Sequence, residues 1–424
     1  MRSLRRFLFS DTVRQTGVAL ADQVVNSAAN FVVGITLIRG IAAEQYGLFV
    51  LANAALFLAI GFQHAIVAFP MTVLAAKRPH EQRLPFVDAL ATGQFALWLP
   101  ASLAAIATAY VAADLEAITE RRAVLITVTA TAAITVVARE FFRQVFFLFR
   151  RTDLTLAIDV VYGLAFVVFV GSVAIDLSFP AHAAIAAAGA ASALASGVGA
   201  ILYGRLLGGR LRIDVGALRA TWAPAKWGVP GMLLAWLQNQ GFFYLLGAVL
   251  GTKAVATVSA SRLLLVPIPM MLTAIESVLR PRAADWIGQR QFGRLTRQLL
   301  SMSGAATVAA LAFTAVVFAL REPIVEHVLK KSIADLDLLL LCWGIVFVAQ
   351  VLRTNITVLL QALERFDVLF YLTLVRAAVS FTLGYAGMLA GGAPGMLVGL
   401  AVGEVVYVAT GGATARGRLR EAAR

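Results

Sequence analysis

The sequence predicts an all-α integral membrane protein of about twelve transmembrane helices, in two pseudo-symmetric six-helix lobes around a central cavity. Three observations carry that expectation. Of 424 residues, 60% are hydrophobic and 14% charged, with a mean hydropathy of +0.84, whereas a soluble domain carries roughly 25% charged residues. Apolar runs of bilayer-spanning length, roughly 20 residues, recur along the whole chain and leave no room for a separate soluble domain. The two halves also share one hydropathy register, in which Gly17 falls on Gly228, Phe31 on Phe242, Gly40 on Gly251 and Pro70 on Pro281.

Taken in order, the spans begin near Gly17, Tyr46, Val87, Val124, Leu154 and Ala181 in the first half, and near Gly228, Ala254, Arg297, Leu336, Val368 and Ala393 in the second. The opening stretch imitates a signal peptide. It contains Asp22, Gln23, Asn26 and Asn30 and has no small-residue cleavage site, so it reads as a retained first helix. The predicted organisation is an N-terminal lobe at 1–207, a basic cytoplasmic linker at 208–227 and a C-terminal lobe at 228–424. Six helices per half insert both lobes with the same orientation, so the symmetry axis runs along the membrane normal.

Orientation follows from the basic residues. The net charge is +13 and the isoelectric point near 10.5. The charges lie between apolar runs instead of on one soluble face, so they read as topology signals and no nucleic-acid partner is expected. One set of connections holds most of them, including Arg139, Arg143, Arg150 and Arg151 after the fourth segment and Arg205, Arg210, Arg212, Arg219 and Lys226 in the linker. The opposite side keeps only Arg39, Arg121, Arg122, Lys253, Arg321, Lys330 and Lys331. The positive-inside rule then places both termini in the cytoplasm.

Enzymatic function is not expected. The single cysteine, Cys342, excludes an intramolecular disulfide, and with four dispersed histidines it excludes the usual zinc clusters. No Walker A, HExxH or Gly-rich dinucleotide turn occurs. The loop from Arg321 to Asp335, with Glu322, Glu326 and His327, reads as a solvated turn.

Polar residues inside spans are costly and mark cavities, pathways or bundle partners. Arg262, Arg353 and Arg376 fall within segments eight, ten and eleven, all in the C-terminal half. Gln350, Arg353, Thr354, Thr357 and Gln361 recur at helical spacing as a polar stripe on segment ten. Arg262 and Glu276 share segment eight, almost four turns apart. Asp22, Asn26 and Asn30 lie on one side of segment one, and Gln238, Asn239 and Gln240 interrupt segment seven at a comparable place. Asp22 has three open readings: interhelical hydrogen bonding, cavity lining, or coupling to a proton or sodium gradient. Glu276 and Glu404 are further coupling candidates, and no other cofactor is expected. The arginines near helix ends can instead snorkel to headgroups. Gly395, Gly399 and Gly403 form a ridge for close helix approach. Pro100, Pro230, Pro267 and Pro269 can bend or break their helices.

Several of these residues carry a resemblance. Asp22-Gln23, Ser27, Asn30-Phe31 and Tyr46-Gly47-Leu48-Phe49 resemble the first two helices of Wzx-type polysaccharide flippases, in the multidrug/oligosaccharidyl-lipid/polysaccharide exporter superfamily. Tyr244-Leu245-Leu246-Gly247, Leu250-Gly251 and Val278-Leu279-Arg280-Pro281 are similar to the seventh and eighth. The resemblance implies alternating access and transfer of a polyprenyl-pyrophosphate-linked oligosaccharide repeat unit across the bacterial inner membrane, for exopolysaccharide or O-antigen synthesis. It implies membrane lipids, a polysaccharide polymerase and chain-length proteins as partners. The substrate-site candidates are then Arg262, Arg353 and Arg376 for the pyrophosphate and Asn26, Asn30, Asn239 and Gln350 for the sugar. Two alternatives stand beside it: a cation-coupled multidrug exporter of the same architecture, which should gather its acidic residues in one lobe, and a membrane glycosyltransferase or polymerase.

Overall fold

The computed structural model describes residues 11–173, 179–210, 212 and 214–423. The basic start with Arg2, Arg5 and Arg6 lies outside them. Among the described residues every regular element is a helix. Helices satisfy their own backbone hydrogen bonds, which hydrocarbon requires of a spanning segment. By packing, the chain divides into two units, Met1–Trp236 and Leu237–Arg424.

The first unit contains α1 (Asp11–Gly40), α2 (Ala43–Ala76), α3 (His80–Asp114), α4 (Glu120–Leu148), α5 (Thr152–Val173), α6 (Ala181–Leu207) and α7 (Val215–Trp236). Its core is Val67, Met71, Phe86, Leu90, Phe141, Phe146 and Ile158. Helices α4 and α6 meet where a Cβ on Gly189 would crowd Ala132, and Thr135 Oγ1 donates to Gly189 O at 2.9 Å. The Ala- and Gly-rich composition of α6 is what permits that approach. A π-turn at His64–Ala68 re-aims the polar residues of α2. There Gln63 accepts from Trp98 Nε1 and donates to Gln94 Oε1, both at 2.8 Å. The linker at 208–227 is helical from Val215 and packs on α3 and α2 as the first half of α7, whose Trp236 Nε1 donates to Ala54 O.

The second unit contains a π-turn (Leu237–Gly241), α8 (Phe242–Leu250), α9 (Thr252–Leu264), α10 (Pro267–Gly288), α11 (Phe292–Ala319), α12 (Leu336–Ala362), α13 (366–390) and α14 (393–423). Helices α13 and α14 run as one element interrupted at Gly391–Gly392, where Gly392 has φ +65°, a region open chiefly to glycine. The ridge of Gly395, Gly399 and Gly403 folds back on α13, and side chains there would collide with the backbone of Gly387 and Gly384 and with Ser380. Trp343, Phe347, Phe242 and Phe243 form an aromatic centre.

Among the described residues ten elements are long and apolar enough to span a bilayer, and α9 with α10 makes an eleventh bent by 59°. Dividing the 54-residue element at Gly391–Gly392 gives the twelve expected. Large apolar side chains such as Leu103, Leu164 and Val168 in the first unit, and Leu300, Val308 and Leu389 in the second, stand outward. Such surface requires lipid as its solvent.

Two expectations are corrected. Proline breaks the span between α9 and α10, whereas α3 continues through Pro85 and Pro100, and α7 through Pro224 and Pro230. Arg262 and Glu276 therefore sit on different helices and share no face. Arg139 and Arg143 are also not loop charges, because both lie inside α4.

Candidate functional site

The second unit encloses a cavity lined by polar groups. Segment-ten periodicity places Trp343, Val346 and Gln350 on one face of α12, and that face lines the cavity. Helix α13 adds Arg376 and Ser380, α14 adds Leu400 and Glu404, α9 adds Arg262, α8 adds Phe242, and the π-turn adds Gln238 and Asn239. Gln238 Nε2 donates to Thr373 O at 2.8 Å, which ties that turn to α13.

Glu404 is the electrostatic centre. Its Oε1 accepts from Arg376 Nη1 at 2.6 Å, and its Oε2 accepts from Arg353 Nε at 2.9 Å. The glycine ridge makes the pairing reachable, because Gly403 lies directly against Ser380 and the Arg376 carbonyl. Tyr407 sits beneath both guanidiniums, 6.0 Å from Arg353 and 5.8 Å from Arg376, and shares a hydrogen bond with Thr357 Oγ1. Arg262 donates to Asn239 O at 3.2 Å and stands 5.4 Å over the Trp343 ring. Two guanidiniums thus share one carboxylate, and a third, that of Arg262, lines the same cavity. Among the described residues, two buried polar atoms at the wall, Arg376 Nε and Gln238 Oε1, have no hydrogen-bond partner. Buried groups in that state call for a ligand or water.

The structure therefore brings together Arg262, Arg353, Arg376, Asn239, Gln350 and Glu404 of the sequence-predicted set. It leaves the others elsewhere. Asn26 and Asn30 donate back to the carbonyls of Asp22 and Asn26 on their own helix, at 3.5 and 2.8 Å. Glu276 pairs with Arg280 and accepts from Thr354 Oγ1 at 3.3 Å. Asp22 belongs to a second cluster, in the first unit.

That cluster centres on Arg143, whose Nε, Nη1 and Nη2 donate to Asp159 at 2.6 Å, Glu140 at 2.8 Å and Asp22 at 3.1 Å. The carboxylates come from α5, α4 and α1 and are 0%, 4% and 3% exposed. Glu140 also accepts from Gln144 Nε2 at 2.8 Å and lies 3.0 Å from His64 Nε2. Arg139 stacks 3.6 Å over the Tyr162 ring. One oxygen each of Asp22 and Asp159 accepts no hydrogen bond from the described residues. The sequence reading missed Glu140 and Asp159, and the intramembrane arginines it names all lie in the C-terminal half. The available signal was a basic pair flanking Glu140 in an otherwise apolar run, with Asp159 in the next.

These geometries sit in a known architecture. The MatE family model matches residues 231–386, and no curated protein matches the chain. A multidrug resistance MATE family transporter of the MOP superfamily, in its inward-facing conformation, superimposes with a TM-score of 0.74 at 16% identity, over 96% of this chain and 98% of that one. The lipid II flippase MurJ, in an inward closed conformation, gives 0.72 at 9% identity, over 97% and 90%. A MOP superfamily transporter from Pyrococcus furiosus, described by the reverse polarity of its binding pocket, gives 0.56 at 18%, over 98% and 94%. The chain has the fold of the MATE-type transporters of the MOP superfamily.

Proposed function

We propose that the protein is a flippase that turns a polyprenyl-pyrophosphate-linked oligosaccharide across the bacterial inner membrane by alternating access, in surface or exopolysaccharide synthesis. The observation that carries this reading is that Arg262 and Arg376 line one cavity of the second unit together with Glu404, whose carboxylate also holds Arg353. A pyrophosphate entering low dielectric needs converging positive charge, and guanidiniums meet phosphate oxygens in two-point contacts. Asn239 and Gln350 supply amides for the adjoining sugar, while the polyprenyl tail stays in lipid. The likeness to the MurJ fold supports the same class of cargo.

The first-unit cluster supplies the coupling element in this reading. Three carboxylates and one shared arginine can exchange a proton or a sodium ion as the helices move. The same cluster favours a second reading, a cation-coupled multidrug exporter, because Asp22, Glu140 and Asp159 are gathered in one unit as that reading requires. One experiment separates the two. In vesicles loaded with the lipid-linked oligosaccharide, the flippase reading expects the protein to expose the glycan to an enzyme added outside. It expects Arg353→Ala with Arg376→Ala to abolish that exposure while protein abundance is kept. Gradient-driven efflux of a lipophilic cationic dye, with no glycan exposure, would establish the exporter instead.

A further inference from the structure

The cavity of the second unit measures about 20 Å³, room for about one water and not for a pyrophosphate. The group that fills the space between the two arginines is a carboxylate of the protein. Glu404 spends one oxygen on each guanidinium, the geometry that an incoming phosphate would adopt. It is 5% exposed and Arg376 is 7% exposed, so neither charge has bulk water to fall back on. A carrier of anions faces a general difficulty here. Guanidiniums that bind cargo tightly are costly to leave unpaired, and a carrier must return without cargo.

We propose that Glu404 is an exchangeable internal anion. It neutralises Arg353 and Arg376 while no cargo is bound, and a phosphate-bearing headgroup displaces it from them. This rests on the anionic-cargo reading above and adds the means by which the site resets. The orphaned Nε of Arg376 marks where exchange begins, since it can take a first phosphate oxygen before the Glu404 contact breaks. Gln238 Oε1, orphaned on the same wall, can accept from Arg376 or from a sugar hydroxyl as the guanidinium turns. Arg262, which donates to the Asn239 carbonyl and lies over the face of Trp343, completes the receiving set.

The test uses purified full-length protein and inorganic pyrophosphate, with chloride and acetate at equal ionic strength as controls. Glu404→Gln keeps the shape of the side chain and removes its charge, leaving the guanidiniums of Arg353 and Arg376 without their counter-ion. It should melt at a lower temperature than the unaltered chain and be restored by pyrophosphate, with half-maximal effect at about tenfold lower concentration than in the unaltered chain. Acetate should restore it less, and Glu404→Gln combined with Arg376→Gln should lose the response. A loss of stability that pyrophosphate and chloride restore equally overturns the proposal and leaves Glu404 a packing charge. If the variant does not fold, labelling of the unaltered chain decides. A lipid-soluble carbodiimide should modify Glu404 faster as pyrophosphate is added, and unchanged or slower labelling overturns exchange. The pyrophosphate response without glycan exposure in vesicles would discard the cargo and keep the exchange, and the converse result would discard the exchange alone.

Discussion

Replacing Arg143 with glutamine removes the one cation that three helices share. The side chain makes three charge-assisted hydrogen bonds, at 2.6, 2.8 and 3.1 Å, to carboxylates that are 4% exposed or less. Removing one partner of a buried ion pair costs about 3–5 kcal/mol, because the remaining charge is left without compensation. Three such costs do not add. The carboxylates are neighbours that share one cation, so their penalties overlap. The expected loss for Arg143→Gln is therefore about 3–5 kcal/mol, seen as a large drop in apparent melting temperature of the purified protein and in its abundance in the membrane. Arg143→Lys keeps the charge on a shorter arm without the planar fork and should lose about 1–3 kcal/mol. Adding Asp159→Asn and Glu140→Gln to Arg143→Gln should recover part of the loss, since neutral groups need no counter-charge. A change within about 0.5 kcal/mol for Arg143→Gln, the size of an ordinary surface substitution, would refute the idea that the cluster holds α1, α4 and α5 together.

Other substitutions separate packing from charge. Gly399→Val places a side chain against the backbone of Gly384 and Leu383, so the α13–α14 hairpin cannot close. A loss of about 3 kcal/mol or more is expected, at or beyond the upper end for overpacking, read as failure of the purified protein to remain monodisperse. Arg151→Ala breaks an ion pair whose side chains are 38% and 59% exposed. It should change stability by less than about 0.5 kcal/mol, measured by melting.

Helices were the legible part of the fold. Apolar runs bounded by charge predict spans because the bilayer imposes one length and forbids unpaired backbone. The twelfth span was visible in sequence as Gly391-Gly392-Ala393-Pro394, where hydropathy alone shows one long run. Proline position was a poorer guide. A proline in a spanning helix can be accommodated by the neighbouring turn, as at Pro100, whereas Pro267, beside a second proline at Pro269, marks a break.

Charge was legible only where its partner lay on the far side of a cavity already suspected. Arg353, Arg376 and Glu404 stood out because each interrupts a long apolar run, and the structure places both arginines within hydrogen-bonding distance of Glu404. Arg143 was misread because the positive-inside rule assigns any arginine near the end of a span to the adjoining loop. Nothing in the local sequence distinguishes an arginine that snorkels from one that turns inward. The distinguishing fact is non-local: Asp22 lies 121 residues away in sequence and Asp159 lies 16, and only the packing of α1 and α5 against α4 brings them to the guanidinium. A carboxylate in the next span is therefore a reason to withhold an arginine from the topology count. Asp159 meets that condition for Arg143, and Glu404 meets it for Arg376 across the Gly391–Gly392 turn. Applied to both, the rule recovers the centres of the two clusters from sequence and leaves the basic residues of the exposed connections as the topology signal.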